Sequence, residues 1–123
     1  MVRSVAIRDR VLQSRDAIEL LSAKWRIPIL HLLSFGPLRT GKLQKAMEEL
    51  SPKVLTQTLR GLERDGLIER KIYKTVPPHV EYELTGMGRS VLKPLGDLCH
   101  WAKAHVEGRD AARKRFDRML EEA

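Results

Sequence analysis

The chain has 123 residues, of which 42% are hydrophobic and 32% charged, and it carries a formal net charge of +7. This length and composition indicate one folded domain, and the positive charge favours a polyanionic partner, nucleic acid ahead of an anionic membrane surface. The single cysteine argues against a disulfide framework or a zinc finger. We find neither an apolar run of membrane-spanning length nor a secretory signal, and we therefore expect a cytoplasmic protein with no membrane partner. No metal or cofactor is expected either.

The first third of the chain has the patterns of helices. Residues 3–13 are basic and amphipathic and predict a loose helix, and Ser14 is a plausible N-cap for a firmer helix that runs to Leu21. A further helix from Trp25 to Phe35 is apolar on nearly all sides, which is typical of the buried central helix of a small domain. A Gly-Pro pair then ends this helix.

Two short amphipathic helices are predicted next, at about 41–50 and 52–65. Ser51 is a good N-cap for the second helix, Pro52 suits its first position, and Gly66 can adopt the left-handed conformation that ends a helix. Two such helices joined by so few residues indicate a helix-turn-helix, although other helical hairpins share this pattern.

The helix at 52–65 has two different faces. One face is an apolar stripe in which Leu55, Leu59 and Leu62 fall at helical spacing. The other face carries hydrogen-bond donors with little acid among them, which suits the major groove of DNA, although a merely solvated face is the alternative. Its donors include Gln57, whose amide matches adenine, and Arg60, whose fork matches guanine.

After Gly66 the apolar period changes from helical to alternating, which predicts strands at 67–75 and 79–84. The intervening Val-Pro-Pro cannot continue a ladder and therefore predicts a turn. A helix-turn-helix followed by a β-hairpin is a winged helix. The positive charge on this wing either contacts DNA phosphates or the minor groove, or only keeps an edge hairpin soluble. The residues predicted to contact DNA are Arg39, Thr40, Lys42, Ser51, Lys53, Thr56, Gln57, Arg60, Arg64, Lys71, Lys74 and His79.

A long helix is predicted at 86–106, kinked or broken at Pro94, with Gly108 separating it from a charged terminal helix. Its long apolar stripe needs a partner, either a second subunit or the N-terminal helix of the same chain. Cys99 on this stripe is expected to be a buried, inert thiol, and an intersubunit disulfide or redox switch is the alternative. The residues predicted in or near a dimer interface are Leu95, Leu98, Cys99, Trp101, Ala102 and Val106.

In its order of motifs over residues 12–106 the chain resembles the HxlR family of bacterial winged-helix regulators, relatives of the MarR group. The residues that carry the resemblance are Lys24-Trp25, Ser51–Arg60 with Leu62-Glu63, Asp65–Arg70, Val76–Tyr82 with Leu84-Thr85 and Gly88, and Trp101. The resemblance implies a homodimer that binds operator DNA and controls neighbouring genes. Many members carry a cysteine where this chain has Leu12, so sensing through that position is not expected here.

The sequence therefore predicts an α+β, mainly α fold, a winged helix-turn-helix with terminal dimerisation helices. Residues 1–123 form a single domain, with a DNA-binding core at about 14–85 and dimerisation helices at about 1–13 and 86–123. The predicted function is a dimeric, sequence-specific transcription regulator that places helix 52–65 in the major groove and wing 67–84 on the backbone or minor groove. A nonspecific architectural DNA-binding protein is the alternative. An unidentified small-molecule effector is compatible with the dimeric regulator, whose cleft between the wing domain and the dimer helices could hold it, whereas no catalytic pattern supports an enzyme.

Overall fold

A computed structural model describes residues 2–123, with side chains from Ser4 onward. Most of the chain is helical, and three short strands form one antiparallel sheet in the order β1-β3-β2. The elements are α1 (Val2–Leu21), α2 (Arg26–Leu33), β1 (Leu38–Arg39), α3 (Thr40–Ala46), α4 (Pro52–Arg64), β2 (Ile68–Tyr73), β3 (His79–Leu84), α5 (Gly86–Ser90), α6 (Leu92–Ala104) and α7 (Val106–Glu122). The chain divides into two compact units, the first ending at Ser90 and the second running from Val91 to Ala123.

The first unit is a winged helix-turn-helix, as predicted. Helices α2, α3 and α4 pack with the sheet around an aliphatic core. The buried apolar side chains of this unit are Ile29, Leu30, Leu33, Leu43, Met47, Leu50, Leu55, Leu59, Leu62, Leu67, Ile68, Tyr82 and Leu84. No helix in the described part of the chain is both long and apolar enough to cross a bilayer.

The central helix is shorter than predicted. It ends at Leu33, and Phe35 lies in the following turn with its side chain 91% exposed, so the prediction that Phe35 belongs to a buried helix is wrong. The turn ends at Gly36, whose φ of 138° favours glycine.

The predicted boundary at Ser14 is also wrong. Helix α1 runs without a break from Val2 to Leu21, and the Ser14 hydroxyl donates to the Arg10 carbonyl at 3.0 Å within that helix. A serine that bonds to the fourth residue before it is part of a helix interior rather than its cap. The side chains of α1 from Ser4 to Glu19 are exposed, so within one chain almost nothing covers this helix.

The connection inside the helix-turn-helix is longer than predicted, because α3 ends at Ala46 rather than near 50. The Gln44 amide donates to the Leu50 carbonyl at 2.7 Å, and the Leu50 N–H donates to the Met47 carbonyl at 3.0 Å. These bonds satisfy backbone groups that a continuing helix would have paired. Met47 and Leu50 stay buried in this turn, which explains why they matched the helical apolar pattern.

The wing is a regular antiparallel hairpin, although β2 is shorter than the predicted strand at 67–75. One face of the hairpin is directed towards the core near its base, and the opposite face is directed outward. The pairs on the inner face are Ile68–Leu84, Arg70–Tyr82 and Ile72–Val80, and those on the outer face are Glu69–Glu83, Lys71–Glu81 and Tyr73–His79. Because the hairpin extends beyond the core, Ile72 is 63% exposed although it lies on the inner face.

The predicted helix at 86–106 is two helices, α5 and α6, separated at Val91. Pro94 lies in the first turn of α6, where the missing N–H has no intrahelical partner to lose. The break expected from Pro94 is confirmed. It lies before the proline because the ring would clash with the carbonyl of residue 90 in a continuous helix.

Within the second unit, α7 begins at Val106, so the prediction of a break at Gly108 is wrong. The interruption falls at His105 instead, where the ring nitrogen Nδ1 lies 2.8 Å from the Trp101 carbonyl and the ring stacks on the indole at 4.7 Å. This contact ends α6 in place of a glycine.

The predicted dimer stripe, which runs along α6 to the first residue of α7, is mostly exposed in the single chain. Leu95 is buried, whereas the exposed fractions of Leu98, Trp101 and Val106 are 57%, 54% and 46%. Cys99 is exposed as well, so the prediction of a buried thiol does not hold for one chain. Ala102 is half-buried.

Candidate nucleic-acid interface

Helix α4 is fixed at both ends by the residues that the sequence indicated. The Ser51 hydroxyl accepts a hydrogen bond from the Val54 N–H at 3.2 Å, and Pro52 occupies the first helical position. Gly66 follows the last turn with a φ of 76°, in the left-handed region. These predictions are confirmed, and Ser51 is therefore used as a cap, with its hydroxyl already engaged.

The two faces of α4 are separated as predicted. Leu55, Leu59 and Leu62 are at most 2% exposed and fix the rotation of the helix about its axis. The side chains on the opposite face are all exposed, and they are Lys53, Thr56, Gln57, Arg60 and Arg64. This arrangement offers amide, hydroxyl, ammonium and guanidinium donors to a polyanionic groove.

Replacing Ser51 with alanine should lower the free energy of unfolding by about 0.5–2 kcal/mol, because the Val54 N–H loses its partner. Ser51→Gly is the matched control and should cost only a few tenths of a kcal/mol, since glycine leaves the N-terminal N–H groups open to water. Urea unfolding followed by far-UV circular dichroism measures both. Equal losses for the two variants would contradict a capping role.

A clamp that sequence reasoning missed holds the other end of α4. The Arg26 nitrogen Nη1 donates to Asp65 Oδ2 at 2.6 Å and to the Leu20 carbonyl at 2.7 Å. The Arg26 side chain is 17% exposed and that of Asp65 31%, so the pair is partly shielded from water. The guanidinium passes over Gly61, where an added Cβ would lie 2.6 Å from Nη2. The sequence offered two signals of this clamp, namely an arginine at the start of a mostly apolar helix and a glycine within α4.

The base of the wing is tied to the C-terminal end of α4 through Thr85. Its hydroxyl donates to the Gly66 carbonyl at 2.6 Å and accepts from the Gly88 N–H at 3.0 Å, which also caps α5. Gly88 is buried against the backbone, because an added Cβ would lie 2.0 Å from the Leu67 carbonyl oxygen. The wing and α4 therefore share one rigid junction.

The outer face of the wing is less basic than the sequence suggested. Lys71 pairs with Glu83 and lies 3.9 Å from Glu69. The hydrogen bond from Lys71 and its charge lower the pKa of Glu83, and the same contact raises the pKa of Lys71. Both groups stay charged, so their charges largely cancel for any distant phosphate. Arg70, on the inner face, lies 3.7 Å from Glu63 of α4.

At the distal end of the wing, His79 is held by its neighbours. Its ring stacks on Tyr73 at 4.6 Å, and Nδ1 lies 3.2 Å from the Thr75 hydroxyl. The His79 side chain is 19% exposed and lies 4.0 Å from Glu81. Lys74, just before the turn, is exposed.

The predicted contacts fall into three places. Five line the exposed face of α4, with Ser51 as the N-cap of that helix, and Lys71 and Lys74 lie on the wing. Arg39, Thr40 and Lys42 surround the start of α3, where they share a cleft with His79. Arg39 also faces Glu81 across the pairing of β1 with β3.

Comparison with known proteins gives consistent matches. Residues 20–110 match the HxlR-like helix-turn-helix family. YtcD, an HTH-type transcriptional regulator of Bacillus subtilis, is 45% identical over 89 residues, which cover 72% of this chain and 71% of that protein. A crystal structure of an HTH-type transcriptional regulator, ytcD, has a TM-score of 0.72 at 41% identity and covers 76% of this chain and 96% of its own. A MarR-family regulator from Enterococcus faecalis V583 has a TM-score of 0.72 at 32% identity, with 81% and 91% covered.

The family match spans well over half of the chain, from the end of α1 into α7, and includes the helix-turn-helix and the whole wing. The predicted family resemblance is thus confirmed, and the matched proteins are transcriptional regulators, a class that acts through DNA binding rather than catalysis. The chain belongs to the HxlR-like helix-turn-helix family and is a DNA-binding transcriptional regulator of the helix-turn-helix type.

Proposed function

We propose that the protein is a homodimer that recognises a specific operator, with α4 in the major groove and the wing on the neighbouring backbone or minor groove. The observation that carries this proposal is the exposed donor face of α4, held in one orientation by three buried leucines. A capped helix with a fixed rotation presents its side chains to base edges in a reproducible register.

The chemistry of two side chains on α4 supports base reading. Gln57 and Arg60 are one turn apart and exposed on the same face. The glutamine amide offers a donor and an acceptor to adenine, and the arginine fork offers two donors to guanine. Lys53, near the N-terminus of the same helix, lies where backbone N–H groups favour a phosphate.

Exposed apolar side chains support the dimer. On α1, Val5, Val11 and Ile18 are 58%, 62% and 68% exposed, and on α6 Leu98 and Trp101 are more than half exposed. Clusters of exposed apolar groups commonly mark interaction surfaces, and a twofold dimer is the simplest assembly that covers the same surface on both copies.

Selection of duplexes from a random-sequence library by the full chain tests the proposal. A dimeric reader should enrich a motif with two related half-sites about 10–10.5 base pairs apart, which corresponds to recognition helices about 34–36 Å apart. Light scattering at micromolar concentration should give the mass of a dimer. A monomer in light scattering would refute the assembly, and a selection that enriches no motif would favour an architectural protein.

Lys74→Ala should weaken binding to the selected site and to random DNA alike, and should reduce the slope of log affinity against log salt by about one. The reason is that an exposed lysine near the wing turn reaches a phosphate, which carries no sequence information. Lys71→Ala is the matched control, because Glu83 already neutralises that charge, and it should change the slope much less. A salt titration of both variants in a fluorescence-anisotropy assay measures this. Equal slopes for Lys74→Ala and the unmodified protein would contradict the contact.

A further inference from the structure

A cleft of about 630 Å³ lies between the start of α3 and the distal half of the wing, both within the first unit. One wall is apolar and consists of Ile72, Pro78 and Val80. The other wall is formed by β1 and the first turns of α3, from which Arg39, Lys42 and Lys45 border the cleft. Its volume is within the range of pockets that hold small organic molecules, about 300–1,000 Å³.

The cleft exists because the hairpin is longer than the core that supports it. The Arg70–Tyr82 pair meets the core, and Tyr82 is 8% exposed, whereas the next inner-face pair, Ile72–Val80, lies beyond it. Gly41 faces open space, since an added Cβ would have no heavy atom within 4 Å. The apolar surface of Ile72 and Val80 is therefore exposed to water beside Arg39, Lys42 and Lys45.

The charges around the cleft are of one sign. Among the described residues that line it, none is acidic, and the described ion pairs involve none of its three cations. Glu81 does not line the cleft but lies on the outer face of the wing, opposite Arg39 in the pairing of β1 with β3 and 4.0 Å from His79, so Lys42 and Lys45 are the cations farther from this carboxylate along the cleft wall. An apolar wall opposite a wall whose charged side chains are all cationic is complementary to an anion that has an apolar body.

We propose that this cleft binds a small amphipathic anion. Its aromatic or branched apolar part covers Ile72 and Val80, and its carboxylate or sulfonate faces Lys42 and Lys45. A DNA phosphate would pair with the lysines but would leave the apolar wall exposed to water. An organic anion therefore fits the cleft better than the DNA backbone does. Since Lys42 also lies in the predicted DNA contact set, an occupied cleft should hinder DNA binding; this second part rests on the function proposed above.

The probe for the first part is 2-naphthoate, titrated into the ¹⁵N-labelled full chain and followed by amide chemical shifts. We expect the largest shifts at the start of α3 and around Ile72 and Val80. Ile72→Glu places a carboxylate against the ligand and should weaken binding by at least about tenfold, because like charges at short range repel strongly. Val76→Glu is the matched control: Val76 is fully exposed in the wing turn and does not border the cleft, so binding should persist. The amide spectra also report whether each variant folds.

Naphthalene-2-methanol, the neutral analogue, should bind at least about tenfold more weakly than 2-naphthoate if the lysines contribute, since charged hydrogen bonds are the stronger ones. Shifts confined to α1, α6 or α7, or equal binding by the Ile72→Glu and Val76→Glu variants, would overturn the cleft as the site.

Competition with DNA tests the second part separately. 2-Naphthoate should release a bound duplex with a midpoint that follows the affinity measured by NMR, and Ile72→Glu should abolish this release. Binding in the cleft without release would refute the effect on DNA and leave the site intact. Failure of the chain to bind any duplex would refute the proposed function, while the NMR titration would still decide whether the cleft binds the anion.

Discussion

Gly88→Ala should destabilise the first unit by more than the about 1–3 kcal/mol that an added methyl group costs in a packed core. The added Cβ would lie 2.0 Å from the carbonyl oxygen of Leu67, and that oxygen accepts the Thr85 N–H at 3.1 Å. The added Cβ would clash with a backbone atom, which cannot move aside as the end of a flexible side chain can. The junction among α4, the wing and α5 would have to open, so we also expect loss of DNA binding.

Gly86→Ala is the control for this prediction. Gly86 lies two residues earlier in the same short helix, and an added Cβ there has no neighbour within 4 Å. This variant should be neutral or stabilising by up to about 1 kcal/mol, because alanine has the higher helix propensity. Thermal and urea unfolding compare the two. Similar stability of both variants would show that the Leu67 carbonyl can move away at little cost.

Arg60→Ala should cost about 1–3 kcal/mol on the selected operator, roughly 5- to 150-fold in affinity, and little on random DNA. The arginine is exposed at the middle of the donor face, opposite the buried Leu59 side of α4, so its truncation leaves the fold intact. The loss should concentrate at one base pair of each half-site, because the two donors of the fork pair with a single guanine.

Arg60→Lys separates charge from shape at this position. Lysine keeps the positive charge but lacks the planar fork, so binding to random DNA should be retained while discrimination at the affected base pair falls. Titration of both variants against the operator, a single-base variant of it and a random duplex provides the comparison. If Arg60→Ala lowers all three affinities equally, α4 contacts phosphates rather than bases. That result would favour a nonspecific architectural DNA-binding protein over a sequence-specific regulator.

Local signals located α4 and the wing correctly, although the equally local signals at Ser14 and Gly108 were misleading. Ser51 and Pro52 marked the start of α4, Gly66 marked its end, and the alternating pattern of β3 marked the wing. These signals depend on backbone geometry within a few residues, so no tertiary knowledge was needed. For the same reason the exposed donor face of α4 could be identified before its surroundings were known.

The features that sequence reasoning missed depend on residues far apart in the chain. Arg26 reaches Asp65 across 39 positions, and the pair shows no periodic pattern that would connect them. The pairing of Lys71 with Glu83 follows from the register of the hairpin, which composition does not specify. The exposure of Ile72 likewise depends on how far the core extends beneath the wing, so the cleft could not be inferred from alternation alone.

The clamp at Arg26 limits which α4 sequences from a relative can replace the helix in this protein. Grafting a segment 52–64 that lacks glycine at position 61 would place a Cβ 2.6 Å from Arg26 Nη2, so the guanidinium would have to shift. A graft that keeps Gly61 and Asp65 leaves the bond from Arg26 to Asp65 undisturbed. Positions 53, 56, 57 and 60 are exposed and take no part in this clamp, so their side chains can be exchanged without disturbing the contacts that hold the C-terminal end of α4.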